Sequence, residues 1–172
     1  MNNTIAGWYV IYTRPQHEKK VSFRLTEMNI ATLLPTVKKQ RIQKDRKKYI
    51  HAPIFPSYIF VYLNDLEEYY KGLSIDGVLY YVRSGKDVAR VSANVIRNVR
   101  ILMEQAKDST MEVSAAYFPQ GKEVVIKDGP MTGMTGEIMK VDGEEKVLVR
   151  VTLLQRNILI TLPSEDIIKI VS

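Results

Sequence analysis

GKEVVIKDGPMTGMTGEIMKVD, residues Gly121–Asp142, decides how the carboxyl-terminal part of the chain is read. Val124 and Ile126 alternate with Glu123, Val125 and Lys127, the period of two that a half-buried strand requires. Asp128-Gly129-Pro130 then stops the strand. An Asp side chain bonds its own downstream backbone, Gly admits positive φ, and Pro removes a ladder donor. Gly133 and Gly136 stand where two chain segments must approach closely, and Ile138 and Val141 begin a second strand. Downstream, Asp142-Gly143 is a hairpin signal, followed by strands over Lys146–Leu153, Asn157–Leu162 and Ile167–Val171. Five short strands in roughly fifty residues suit a small closed barrel.

Upstream, Lys107–Gln120 has no strong core pattern, and a linker is placed at 108–120. Before it, Ser92 caps a helix over Ala93–Ala106 with Val95, Ile96, Val99 and Met103 as its apolar stripe, and Asp65 caps one over Leu66–Leu73. Gly77–Arg83 reads as a strand. In Pro53–Leu63, PIFPSYIFVYL, Ile59, Val61 and Leu63 face one way and Tyr58, Phe60 and Tyr62 the other. Such a strand is central and covered twice, or presents an aromatic docking surface where one face is left open. Lys38–Lys48, KKQRIQKDRKK, carries seven basic residues and one acid. It reads as an exposed hairpin or flexible loop, either solvated or touching phosphates. Ala31–Val37 is a strand that Pro35 confines to an edge or bulge. Pro15 opens a helix that reaches Met28, with Val21, Leu25 and Met28 buried, His17, Lys20 and Arg24 on another face, and Asn29 at its end. Trp8–Thr13, WYVIYT, is a buried strand.

The 172 residues carry 25 Lys and Arg against 19 Asp and Glu, a net charge of +6. The excess is uneven: residues 1–108 hold 18 basic and 10 acidic residues, and residues 109–172 hold 7 and 9. A basic first part can face a polyanion, whereas a net −2 second part is ill suited to gripping a nucleic-acid backbone. The absence of cysteine excludes disulfides, thiolate metal sites and a cysteine nucleophile, and fits a reducing, cytoplasmic setting. Neither a membrane span nor a signal peptide is expected. His17 and His51 have no metal-ligand spacing, and no phosphate-cradling loop is present. No catalysis and no cofactor are expected.

Gly121, Val124, Asp128-Gly129-Pro130, Gly133, Gly136 and Val141-Asp142 resemble the KOW motif. With WYVIY at Trp8–Tyr12 before a basic helix and PIFPSYIFV at Pro53–Val61, the chain resembles the NusG family of transcription factors along almost its whole length. Ser57 stands where the family more often has Gly. The resemblance implies an α+β chain: an amino-terminal α/β domain with a mainly antiparallel sheet at 1–107, the linker at 108–120, and an SH3-like KOW barrel at 121–172. It implies a monomeric factor that docks on the clamp helices of the largest catalytic subunit of RNA polymerase, contacts non-template DNA and promotes processive transcription.

Carried over position by position, Tyr12, Phe55, Tyr58, Phe60 and Tyr81 are candidates for polymerase docking, and Arg14, Lys20 and Arg24 for DNA; Trp8 and Ile59 are read as core. In the barrel, Leu154 and Arg156 are candidates for a recruited partner, Rho or a ribosomal protein. General members carry an aromatic followed by Gly-Arg there; this chain has Leu153-Leu154-Gln155-Arg156. That departure, with RPQHEKKV and DRKK, resembles specialised paralogues, RfaH or the capsular-polysaccharide antiterminators of Bacteroides-like bacteria. A housekeeping NusG-type factor, a ribosome-associated KOW protein and an inhibitor occupying the clamp stay open as alternatives.

Overall fold

The computed structural model describes residues 5–105, 111–126 and 131–161. It comprises two compact units, Met1–Ala93 and Asn94–Ser172.

In the first unit, β1 (Gly7–Thr13) leads to α1 (Glu18–Glu27), β2 (Ala31–Leu33), β3 (Thr36–Gln43), β4 (Arg46–Pro53), β5 (Tyr58–Leu63), α2 (Leu66–Leu73), β6 (Val78–Tyr81), β7 (Arg83–Ser84) and β8 (Asp87–Val88). One antiparallel sheet runs in the order β2-β5-β1-β6. The alternation expected for Pro53–Leu63 holds: Ile59, Val61 and Leu63 join Tyr9, Ile11, Val21, Leu25, Ile30, Ile75 and Tyr81 in one buried cluster. α2 starts and α1 stops where the capping chemistry says. Asp65 accepts the Glu68 N–H at 2.9 Å, and Asn29 takes φ +59 just beyond α1. α1 opens later than Pro15, after Gln16 at φ +64. The strand expected over Ala31–Val37 is cut by Pro35, whose carbonyl accepts the Ile54 N–H at 2.8 Å while its own nitrogen has no proton to give.

β3 and β4 form a hairpin of their own, paired from Thr36↔Pro53 to Gln43↔Arg46. Lys44 and Asp45 close it at φ +48 and +60, the backbone of a two-residue type I′ turn. Of the two readings open for Lys38–Lys48, the hairpin is the one observed.

The second unit contains nearly all of α3 (Ala93–Gln105), then β9 (Met111–Ser114), β10 (Lys122–Val125), β11 (Thr135–Val141), β12 (Glu144–Val151), a 3-10 turn over Thr152–Leu154, and β13 (Arg156–Thr161). The sheet order is β10-β11-β12-β13-β9. β9 lies inside the stretch expected as linker: Met111 and Val113, half-buried, complete the open edge of β13. The unit boundary also precedes the expected break, placing α3 with the second sheet, where Asn98 accepts the Thr135 N–H at 3.1 Å and donates to its carbonyl at 2.8 Å. In α3 the buried apolar positions are Ile96, Val99 and Leu102, with Met103 turned outward.

Of the two glycines expected at a close approach only Gly136 makes one; at Gly133 nothing lies within 4 Å of an added Cβ, and its φ of +88 is what calls for glycine. A Cβ on Gly136 would sit 2.8 Å from Val147 Cγ1 and 2.9 Å from the Leu148 carbonyl, so the strands close only around glycine. Asp142-Gly143 is the hairpin turn, φ +52 and +84. Asp128-Gly129-Pro130 and the strand expected at Ile167–Val171 lie outside the described residues.

Candidate functional site

The face of the first sheet opposite its helix-packed core is built from cross-strand pairs. Trp8↔Tyr62, Val10↔Phe60 and Tyr12↔Tyr58 lie side by side on β1 and β5, and Tyr12↔Tyr80 extends the last rung onto β6. At that rim Tyr12 is flanked by Tyr58 and Tyr80, each ring centroid 5.1 Å away. Tyr80 is 52% exposed, and Tyr12 and Tyr58 are half-buried. Such rings are apolar on their faces and wet at the hydroxyl, which suits a surface that is bare at one time and covered at another.

Three candidates depart from this rim. Phe55 and Phe60 are fully buried and pack edge to face, centroids 6.0 Å apart. They are core residues in this structure: Phe60 occupies the fully buried middle rung, and the end rungs are half-buried. Tyr81 is buried on the helix side, where its ring stacks on Tyr69 at 4.5 Å and its hydroxyl donates to the Tyr69 carbonyl at 3.2 Å. Burial pushes its phenol pKa well above the ordinary value. The surface tyrosine of that strand is its neighbour Tyr80, which sequence reasoning missed. The register between β1 and β6 shifts at Tyr12/Thr13, so counting alternate residues through Gly77–Arg83 misassigns the faces.

The basic candidates lie beside the rim. Arg14 and Lys20 both reach Asp76, at 3.3 and 2.8 Å, and Arg24 pairs with Glu27 at 2.9 Å. The hydrogen bond and charge of Lys20, with Arg14 adding to them, hold the Asp76 carboxyl below its usual range. All three cations keep 54–57% of their side chains in solvent, where such pairs are weak and exchange readily.

Ser57 ties the rim to α1. It sits at φ +69, a left-handed backbone that glycine adopts without strain and serine does not. Its N–H donates to the buried Glu18 carboxylate at 2.7 Å, and its carbonyl accepts the Thr13 N–H at 2.8 Å.

In the second unit, Leu154 is buried: the 3-10 turn ends at Gln155 with φ +50 and turns Leu154 inward, so it offers no surface to a partner. Arg156 is half-buried and donates to the Gln155 carbonyl at 3.1 Å. The strongest polar contact there is structural. Glu137 accepts from Arg150 Nε at 2.6 Å, from Arg150 Nη2 at 3.0 Å and from the Gly121 N–H at 2.7 Å. Arg150 holds the Glu137 carboxyl below its ordinary range. Among the described residues no group of His, Asp and Glu could hold a metal ion, and no helix is long and apolar enough to cross a membrane.

Residues 6–100 match the family model described as NusG, transcription termination factor nusG. The chain belongs to the NusG family. It resembles the transcription termination/antitermination protein NusG of Borreliella burgdorferi, 26% identical over 163 residues, covering 83% of this chain and 86% of that one. NusG of Chlamydia trachomatis is 25% identical over 144 residues, covering 78% of each. A solved structure concerning domain interaction in Thermotoga maritima NusG matches at TM-score 0.52 and 25% identity, covering 96% of this chain and 97% of that one. The family consists of non-enzymatic transcription factors, and this NusG-type chain is a factor of the termination and antitermination kind.

Proposed function

We propose that this NusG-type protein docks on the clamp helices of the largest catalytic subunit of RNA polymerase through Tyr58, Tyr12 and Tyr80. The observation that carries the reading is the partly exposed end of the tyrosine ladder, Tyr80 exposed and Tyr12 and Tyr58 half-buried, on the sheet face opposite the helix-packed core. Docked there, the protein presents Arg14, Lys20 and Arg24 to non-template DNA, exchanging Asp76 and Glu27 for phosphates. The five-stranded sheet of the second unit, with its Gly121–Asp142 segment, supports an SH3-like KOW barrel as its complete form. Without an aromatic-Gly-Arg loop, and with Leu154 buried, that barrel lacks the surface through which general members would recruit Rho or a ribosomal protein. This favours an operon-specific antitermination factor, of the kind that serves surface-polysaccharide genes, over a housekeeping one.

A pull-down with purified RNA polymerase tests the docking. Tyr12→Ala and Tyr80→Ala lower retention while the circular dichroism spectrum is kept; unchanged retention of both variants rejects the site. Read-through of terminators on several leader templates separates an operon-specific factor, active on few, from a general one.

A further inference from the structure

The β3–β4 hairpin holds the densest charge in the chain, and the proposed polymerase docking leaves it unused. Every residue from Lys38 to Tyr49 is exposed, and six residues of β3 alone, Lys38–Gln43, extend about 20 Å at the usual strand rise. The register sorts its cations. Directly paired residues share a face, so Lys39↔Ile50, Arg41↔Lys48 and Gln43↔Arg46 put Lys39, Arg41, Arg46 and Lys48 on one side. The other side carries Lys38, Lys47, Gln40, His51, Ile42 and Tyr49, with Lys38 Nζ 4.5 Å from the centre of the Tyr49 ring.

Two observations point to a ligand for the four-cation face. Arg41 and Lys48 stand directly opposite each other, an arrangement that weakens a hairpin, and the like charges of Lys39 and Arg46 lie beside them. Among the described residues none of these cations has an acidic partner, in contrast to Arg14, Lys20 and Arg24. A surface that serves only solubility intersperses both signs. A polyanion removes the repulsion and supplies the missing charge.

We propose that this face binds the phosphate backbone of duplex DNA, the hairpin entering the major groove as a two-stranded ribbon. The major groove of B-form DNA, about 12 Å wide, admits such a ribbon. The deep, narrow major groove of A-form RNA does not admit side chains. A single strand is gripped by stacking its bases on aromatic rings, and the four-cation face has none: Tyr49 lies on the reverse. The site is separate from α1 and acts in the absence of polymerase.

The test uses the full chain without polymerase, a fluorescently labelled DNA duplex of mixed sequence and a series of salt concentrations, read by anisotropy. Arg41→Gln with Lys48→Gln removes two charges from the proposed face; Lys38→Gln with Lys47→Gln removes two from the reverse. The first pair weakens binding several-fold and flattens the dependence of log affinity on log salt by about two. The second pair changes both by less than half as much. Gln43→Lys, which adds a cation to the proposed face, tightens binding and steepens the salt dependence. Equal losses from the two pairs reduce the effect to net charge and overturn the proposal, as does a wild-type chain that ignores the duplex or prefers duplex RNA. Loss of polymerase retention in the tyrosine variants with duplex binding intact keeps the two sites distinct.

Discussion

The cations beside the tyrosine rim and those on the β3–β4 hairpin are alike in exposure but opposite in their surroundings. Arg14 and Lys20 share Asp76 and Arg24 has Glu27, on an element tied to the sheet by the buried Glu18. The hairpin cations face solvent on a ribbon that carries one acid, Asp45, at its tip. The rim is therefore half-neutralised in the free protein and placed with accuracy. The hairpin is charged in full along its own two-stranded ladder. A phosphate reaching the rim must displace a carboxylate, so its gain is small; one reaching the hairpin displaces only counterions.

The largest effect expected from breaking this comparison lies beneath the rim. Tyr81→Ala empties a fully buried site and lowers unfolding stability by about 3–5 kcal/mol in a denaturant titration. Tyr80→Ala, one residue away, changes stability by less than about 1 kcal/mol yet lowers polymerase retention. Similar losses at both positions would erase the distinction between core and surface tyrosines. Next comes Glu18→Ala, which leaves the Ser57 N–H buried without its acceptor and costs about 1–3 kcal/mol, measured in the same way. On the hairpin, Ile42→Ser, 73% exposed, stays within about 0.5 kcal/mol of the parent.

Two smaller effects sharpen the electrostatic half. Asp76→Asn frees Arg14 and Lys20 together; melting barely shifts, while DNA affinity at low salt rises and falls more steeply as salt is added. Because the folded Asp76 carboxyl titrates below its unfolded value, its favourable contribution is present above the unfolded value and disappears as pH drops through the folded one. Carboxyl NMR should give the wild-type midpoint below the ordinary Asp range, moving upward in Lys20→Met. Ser57→Gly relieves a left-handed serine costing about 1–2 kcal/mol but adds about 0.5–1 kcal/mol of unfolded-chain entropy, so a gain of some tenths is expected on melting.

Much of this arrangement is written locally in the chain. Asp65, Asn29, Gly136 and Asp142-Gly143 each have a single job that neighbouring residues reveal, and the apolar alternation of Pro53–Leu63 separates the two faces of β5 before any pairing is known. What eluded sequence reasoning depends on partners distant in the chain. The bulge opposite Tyr12 exchanges the roles of Tyr80 and Tyr81, a matter of register between β1 and β6. The burial of Phe55, Phe60 and Leu154 follows from packing that hydrophobicity alone does not assign to core or surface. β9 escapes notice because four residues, MEVS, are too short to carry a period until the edge of β13 receives them. The basic helix was found by its spacing, but its acidic partner Asp76 stands at a distance in sequence that no periodicity reaches.

Ser57 holds β1 with its carbonyl and α1, through Glu18, with its amide. The tyrosines and the basic helix are consequently one lever with a common fulcrum. A protein seated on Tyr12, Tyr58 and Tyr80 as proposed would set the bearing of Lys20 and Arg24 at the same moment, and a nucleic acid pulling on α1 would transmit its load straight to the tyrosine ladder.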